Sequence, residues 1–184
     1  MFGSFNPIRS LPITIVTAEL VVHGTIQTRL QRVTDVVNEP GLLHLIVYAA
    51  TFMEPGSRRP VASASVAQIQ LPDVLFLHTS GPTESGTEAR TAKQAIKATL
   101  LAPPYTVEGQ IHLPNEAELR QALDAFNDVF VPVTAARYWA YGVAESPNNV
   151  DLLVINRVRA HVAIAAGVEW RGATPELGGA TNPW

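Results

Sequence analysis

Hydrophobic and polar residues alternate along two segments of the chain. The apolar positions are Leu20, Val22 and Ile26 in the first segment and Tyr105, Val107, Ile111 and Leu113 in the second. A period of two predicts a β-strand with one buried face. Each segment also carries a glycine in mid-strand, Gly24 or Gly109. This position is typical of a bulge or a close backbone approach in a strongly bent sheet.

The two segments belong to a longer internal repeat. Gly24 and Gly109 lie 85 positions apart, and later matches follow in the same order at slightly larger offsets. These matches are Leu30, Asp35 and Asn38 with Leu119, Asp124 and Asn127; Leu45, Val47, Ala49 and Ala50 with Val131, Val133, Ala135 and Ala136; and Ile69 with Ile155. Because order and chemical type persist, the sequence predicts two copies of one small unit.

Each copy also contains a helical pattern after its alternating strand. Thr28 and Asn115 each begin a capping pattern, with Gln or Glu three residues later. Asn38 and Asn127 then stand where a left-handed C-terminal cap is expected. The strands predicted to complete the copies are Leu43–Phe52, Val61–Gln70 and Val74–His78 in the first, and Val129–Tyr141, Asp151–Val158 and Ala160–Ile164 in the second.

The predicted fold class is therefore α+β and β-rich. It consists of two tandem small barrel-like repeats, each β-β-α-β-β-β, related by a pseudo-twofold axis. The first repeat covers residues 1–79 and the second 98–166. Residues 80–97 form a linker with a short helix predicted over Glu88–Ile96, and residues 167–184 form a tail.

Composition narrows the class of protein. The chain has 184 residues, of which 47% are hydrophobic and 16% charged, with a net charge of −3 and no cysteine. Disulfide-stapled folds and Cys-ligated metal sites are excluded, and the composition is unlike that of disordered chains or basic nucleic-acid binders. No apolar run reaches the length of a transmembrane helix. We expect a cytoplasmic protein without a membrane partner.

The motifs of the second copy resemble those of a known family. They are Gly109–Pro114, Leu123–Asn127, Phe130–Ala136 and Val154–Arg157. They resemble an uncharacterised bacterial domain family of unknown function, with motifs R-L-S-D-x-L-N, F-I-P-L-T-D-A and V-x-N-R. The first copy keeps Arg32–Asn38 but has Gln68–Gln70 where Asn-Arg would stand, and both copies lack the Asp of T-D-A. The motif order is more distantly similar to that of Sm-like small barrels. That similarity implies bent five-stranded units that form rings through strand edges and often bind RNA.

The candidate site residues are polar pairs and aromatic side chains. They are Asp35, Asn38, Asp124, Asn127, Asn156, Arg157, Trp139 and Tyr141. Asp and Asn at a helix end commonly satisfy backbone groups of the following turn, so a structural role is favoured, with an Arg157–Asp124 ion pair expected. Trp139 and Tyr141 lie on one face of a strand and are interpreted as a seam or self-association patch, with nucleic-acid stacking as the alternative.

No motif predicts a catalytic residue, a metal site or a cofactor. The five histidines are dispersed, with no pair at metal-ligand spacing. Gly81–Thr87 has the glycine spacing of a phosphate-binding loop but lacks its lysine, so it is interpreted as a linker.

The leading function hypothesis is a non-enzymatic structural or interaction protein that binds itself or a partner through strand edges and aromatic patches. A homo-oligomer, as a ring or filament, is expected. One alternative is an Sm-like RNA- or small-ligand-binding module with a basic groove of Arg29, Arg32, Arg157 and Arg159, although the acidic pI of 5.9 disfavours nucleic acid. Another is a small hydrolase or transferase that would need converging titratable groups, for example His44 near Asp35.

Overall fold

The computed structural model describes residues 7–57, 59–80, 93–114, 127–141 and 147–163. These residues contain ten strands, one α-helix and a 3-10 turn. The strands are β1 Arg9–Thr17, β2 Val21–Thr28, β3 His44–Met53, β4 Pro60–Gln70, β5 Val74–Thr79, β6 Lys93–Ala102, β7 Tyr105–Pro114, β8 Phe130–Ala140, β9 Asn148–Asn156 and β10 His161–Ala163. The helix α1 is Val33–Val37, and the 3-10 turn is Leu71–Asp73.

All ten strands belong to one antiparallel sheet, in the order β10-β6-β7-β8-β9-β5-β1-β2-β3-β4. The predicted β-rich class is confirmed. The sheet is open, since β10 and β4 stand at its two ends rather than pairing with each other. Strands β1–β5 (the first half) are arranged as β5-β1-β2-β3-β4, and strands β6–β10 (the second half) as β10-β6-β7-β8-β9. The two halves meet where β5 pairs with β9.

The two mid-strand glycines occupy matching places in the two halves. The register of β2 against β3 shifts beside Gly24, and that of β7 against β8 shifts beside Gly109, so the predicted bulges are confirmed. A β-carbon on Gly24 would collide with Val47, and one on Gly109 would lie 2.5 Å from the Val133 side chain. Only glycine therefore allows the facing strand to approach this closely.

Buried side chains form two hydrophobic clusters, one centred on each half. Along β5, Leu77 belongs to the cluster of the first half, while its neighbour Phe76 belongs to that of the second. Likewise Val154 packs into the first cluster and Ile155 into the second. Because successive side chains of a strand point to opposite faces, the two cores lie on opposite faces of the sheet where the halves meet.

The helix differs from its prediction. It begins at Val33, and Arg32 at the N-cap position makes no side-chain cap bond. Thr28 ends β2 instead, where its hydroxyl accepts a hydrogen bond from the Leu30 N–H at 2.9 Å. Asn38 at the C-cap has φ −99°, so the predicted left-handed cap is wrong. Its side chain is held by a contact with the second half, described below. The second predicted helix, with Asp124, lies outside the described residues.

The helix predicted within the linker is wrong over its last four residues. Lys93–Ile96 lie in β6 rather than in a helix. Strand β6 pairs with β7 over ten consecutive residue pairs, and this ladder outweighs the helical preference of Lys, Gln and Ala. The rest of the predicted linker helix, the loop of Gly81–Thr87 and the tail of 167–184 lie outside the described residues. In the part of the chain that the structure describes, no helix is long and apolar enough to cross a membrane.

Candidate functional site

We call the contact between β5 and β9 the joint. It consists of three residue pairs: Phe76 with Ile155, Leu77 with Val154, and His78 with Leu153. Both strands are buried on both faces here, with Val74–Leu77 and Leu153–Asn156 all buried. Of these residues, the sequence singled out only Asn156 as a candidate. The signal was present, since a continuous apolar run without alternation is typical of a strand covered on both sides.

Aromatic side chains close the joint on the side of the second half. The Phe76 ring packs edge-on against Tyr105, with ring centroids 5.3 Å apart, and against Tyr138 at 4.9 Å. Phe76 comes from the first half, whereas both tyrosines come from the second. Such aromatic pairs contribute about 0.5–1.5 kcal/mol beyond the apolar area that they bury. Phe76 therefore anchors one half of the sheet in the core of the other.

His78 adds a polar contact across the joint. Its Nε2 lies 3.2 Å from the Tyr138 hydroxyl oxygen, within hydrogen-bond distance. Burial lowers the pKa of His78 to about 4, with a smaller contribution from the nearby His23. Burial also raises the pKa of Tyr138. At neutral pH both groups are uncharged, and the joint therefore holds no net charge at this contact.

Tyr105 has an unusual environment in the same cluster. Its hydroxyl is buried and has no hydrogen-bond partner among the described residues. Burial raises the pKa of Tyr105 to about 12, with a further contribution from Tyr138. A buried hydroxyl without a partner costs about 1–3 kcal/mol. The ring of Tyr105 therefore stabilises the joint, while its hydroxyl opposes that effect.

Two of the predicted asparagines bridge the halves. The Asn38 side chain donates to the carbonyl of Phe130 at 2.8 Å and accepts from the Phe130 N–H at 2.9 Å. Asn156 donates to the carbonyl of Val74 at 3.1 Å and accepts from the Val158 N–H at the same distance. The side-chain amides of Asn38 and Asn156 therefore bind backbone groups beside the joint.

The remaining polar candidates are not drawn into this contact. Asp35 is exposed on α1, and Asn127 is exposed where the chain enters β8. The Arg157 Nε donates to the carbonyl of Asp128 at 2.7 Å. The expected partner of Arg157, Asp124, lies outside the described residues. The structure therefore brings Asn38 and Asn156 to the joint and leaves Asp35 apart from it.

An open groove of about 600 Å³ lies beside the asparagine bridges. Leu43, Val129 and Val158 present exposed apolar side chains along it. Of the polar residues lining it, Arg159 donates from Nη1 to the carbonyl of Pro72 at 3.0 Å, and Asn38 has the bonds described above. The polar atoms of these side chains are used in bonds to the backbone, so their role in the groove is structural.

The aromatic patch predicted from Trp139 and Tyr141 does not face the joint, since Trp139 lies on the face of β8 opposite to Tyr138. Tyr138 points into the core, while its neighbour Trp139 is half-buried beside the Arg137 guanidinium, 5.9 Å from the ring centre. Arg137 also pairs with Glu108, with its Nε 2.6 Å from the carboxylate. Tyr141 is 48% exposed just beyond the end of β8. Trp139 is therefore covered in part by a charged pair of its own half.

The two ends of the sheet are the other distinctive surface. Among the described strands, β4 and β10 have a neighbour on one side only. Strand β4 is eleven residues long, and its sequence from Pro60 to Gln70 contains no charged residue. All three residues of β10 are exposed. Unpaired backbone groups along such edges are able to pair with another strand.

Comparisons with known proteins add no relative. No protein-family model matches the chain, and no significant match is found among the curated proteins or the solved structures. Among the described residues there is also no cluster of three or more His, Asp or Glu side chains that could hold a metal ion.

Proposed function

We propose that this is a self-assembling structural protein whose copies join through the free edges of their sheets. In this proposal the two halves are copies of one small barrel-like unit, and the joint is the contact that such units make with each other. The identical strand orders and the matching bulges at Gly24 and Gly109 support the duplication.

The observation that carries the proposal is the correspondence between the joint and the free edges. Strand β10 has the same place in the second half that β5 has in the first, beside β6 and β1 respectively. Strand β4 has the same place in the first half that β9 has in the second. The joint pairs β5 with β9. Each chain therefore ends in one edge of each kind that the joint uses.

The β4 edge also has few of the features that keep sheet edges apart. Natural edges are commonly protected by charged side chains, and β4 has none. Exposed apolar side chains lie on the sheet face next to this edge. Val66, 52% exposed, pairs with Tyr48 of β3, and Ile46 lies two residues before Tyr48. An exposed apolar surface next to an unpaired edge favours association with another chain.

The polar side chains of the groove favour a structural role as well. Asn38, Asn156 and Arg159 each bond to backbone groups of the opposite half. Of the three, Asn156 is buried, and a buried amide must keep its hydrogen-bond partners, which fixes the geometry of the contact. A fixed joint gives every chain the same relation between its two edges, which is what regular assembly requires.

The test is the molar mass of the purified protein, measured by light scattering over a wide concentration range. We expect multiples of the 19.8 kDa chain. Lysines at two exposed β4 positions, Val66→Lys with Gln68→Lys, place charge on the edge and should shift the mass to that of one chain. Ser63→Lys lies on the same strand outside the region equivalent to the joint and should leave the mass unchanged. A wild-type monomer at all concentrations would overturn the proposal.

A further inference from the structure

We infer that the contact between chains is a head-to-tail copy of the joint, in which β10 of one chain pairs with β4 of a second copy at a defined register. The inference rests on the proposed function and adds the identity of the two strands, their direction and their register. It follows from the strand pairings on either side of the joint.

The position of β10 is fixed by its neighbour β6. Ile13 pairs with Gly24, and Ala98 pairs with Gly109, so β1 and β6 superpose with an offset of 85 residues. Thr14 therefore corresponds to Thr99. On their other side, Thr14 pairs with His78, and Thr99 pairs with Ala163. It follows that Phe76, Leu77 and His78 of β5 correspond to His161, Val162 and Ala163 of β10.

The position of β4 is fixed by β3 in the same way. Leu45 pairs with Ile69, and the matching residue of β8, Val131, pairs with Ile155. The bulge residues Ala49 and Ala135, with φ of 49° and 48°, confirm this offset of 86 residues. Residues 153–155 of β9, which form the joint, therefore correspond to residues 67–69 of β4.

Transfer of the joint register to the free edges gives three predicted pairs between chains. These are His161 with Ile69, Val162 with Gln68, and Ala163 with Ala67, the first residue of each pair from β10 and the second from the other copy's β4. All three pairs are antiparallel, as in the joint.

Side-chain exposure agrees with this pairing. Val162 is 38% exposed, whereas its counterpart Leu77 is fully buried by the joint. Val66 is 52% exposed, whereas its counterpart Leu152 packs against the core of the first half. The joint therefore covers the apolar positions that the free edges leave open, and a second copy in the same register would cover them too.

At two positions the strands at the ends of the sheet carry a more polar residue than the corresponding strands of the joint. His161 stands where Phe76 inserts between two tyrosines, and Gln68 stands where Val154 is buried. Both changes reduce the apolar area that a contact between chains would bury. The contact between chains is therefore weaker than the joint and reversible with concentration.

The contact also determines the symmetry of the assembly. It joins two different edges. An open assembly of any length therefore keeps one unpaired β4 edge at one end and one unpaired β10 edge at the other. Such heterologous contacts produce closed rings when the rotation per chain closes and open filaments when it does not. A twofold dimer that pairs β4 with β4 is incompatible with this inference.

Cysteine cross-linking tests the register, because the natural chain contains no cysteine. Single variants Ala67→Cys and Ala163→Cys are mixed and oxidised gently. A directly opposed pair lies within disulfide reach, whereas a diagonal pair at about 7–8 Å does not. Ser65→Cys, two residues along the same strand, is the matched control. We expect cross-linked dimers when Ala163→Cys is mixed with Ala67→Cys and a strong reduction with Ser65→Cys.

The other outcomes separate this inference from the proposed function. Cross-linking through Ser65→Cys in preference to Ala67→Cys would overturn the register, while oligomers seen by light scattering would still support self-assembly. Dimers of Ala67→Cys alone would show that β4 pairs with itself and would overturn the head-to-tail contact. Oligomers without cross-links in any mixture would place the contact elsewhere. Only a monomeric wild-type protein would remove the proposed function as well.

Discussion

The imidazole Nε2 of His78 lies 3.2 Å from the hydroxyl oxygen of Tyr138, across the contact that unites the two halves of the sheet. The histidine belongs to β5 and the tyrosine to β8. Burial keeps the histidine neutral down to a pKa of about 4. This pair therefore links the protonation of one side chain to the stability of the joint.

The stability of the fold should fall as the pH is lowered from about 6.5 to 4. In this interval the unfolded chain binds a proton at His78, whereas the folded chain, with its lowered pKa of about 4, does not. Acid therefore favours the unfolded state, by up to about 3 kcal/mol when the shift is complete. Urea unfolding of the wild type and of His78→Gln at several pH values measures this difference. The variant should lose that part of the pH dependence, and His44→Gln should retain it. An unchanged pH profile in His78→Gln would contradict the assignment.

Removal of the Tyr105 hydroxyl should leave the protein as stable or make it more stable. Tyr105→Phe keeps the ring contact with Phe76 and deletes a buried hydroxyl that has no partner among the described residues. The expected gain in unfolding free energy is about 1 kcal/mol. Tyr138→Phe is the matched change, and it should lose about 1 kcal/mol because it removes the bond to His78. A Tyr105→Phe variant that is clearly less stable would indicate a hidden partner for the hydroxyl.

Asn38 should contribute more to the free energy of unfolding than Asn127, which is its counterpart in the second half. Asn38→Ala leaves the N–H and the carbonyl of Phe130 without their side-chain partner and should cost about 1–3 kcal/mol of unfolding free energy. Asn127 is exposed, so Asn127→Ala should change stability by less than about 0.5 kcal/mol. Denaturant unfolding of both variants provides the comparison. Equal losses would show that the bridge to Phe130 does not stabilise the joint.

Copying the joint sequence onto the free edges should strengthen self-association. His161→Phe with Gln68→Val restores the residue types found at Phe76 and Val154, and adds apolar area to the contact between chains. We expect the dissociation constant, measured by sedimentation over a concentration series, to fall by about tenfold or more, equivalent to about 1.4 kcal/mol. Ser63→Val also adds an apolar residue to β4, but outside the paired stretch. An equal effect of Ser63→Val would point to unspecific hydrophobic association.

Local pattern was sufficient for the alternating strands β2 and β7 and for the places where they bend. Alternation along β2 and β7 predicted half-buried strands, and Gly24 and Gly109 predicted bulges that the registers of β3 and β8 confirm. The helix was less predictable. Thr28 matches a capping pattern, yet its hydroxyl is used at the end of β2. Thr28 also pairs with Arg9 in the sheet. Helix propensity at the end of a segment is weak compared with such pairing, so boundaries of this kind depend on the whole fold.

The sequence by itself determined the β-rich class and the succession of most strands along the chain, because hydrophobic period and turn residues act over a few neighbouring positions. Only the tertiary structure decided that β5 pairs with β9. That pairing places Phe76 in one core and its neighbour Leu77 in the other, and it turns Asn38 and Asn156 into bridges between the halves. Contacts between residues 75 to 92 positions apart leave no local period in the chain. The continuous apolar runs of β5 and β9 are typical of strands buried on both faces, but they do not indicate which strand pairs with which.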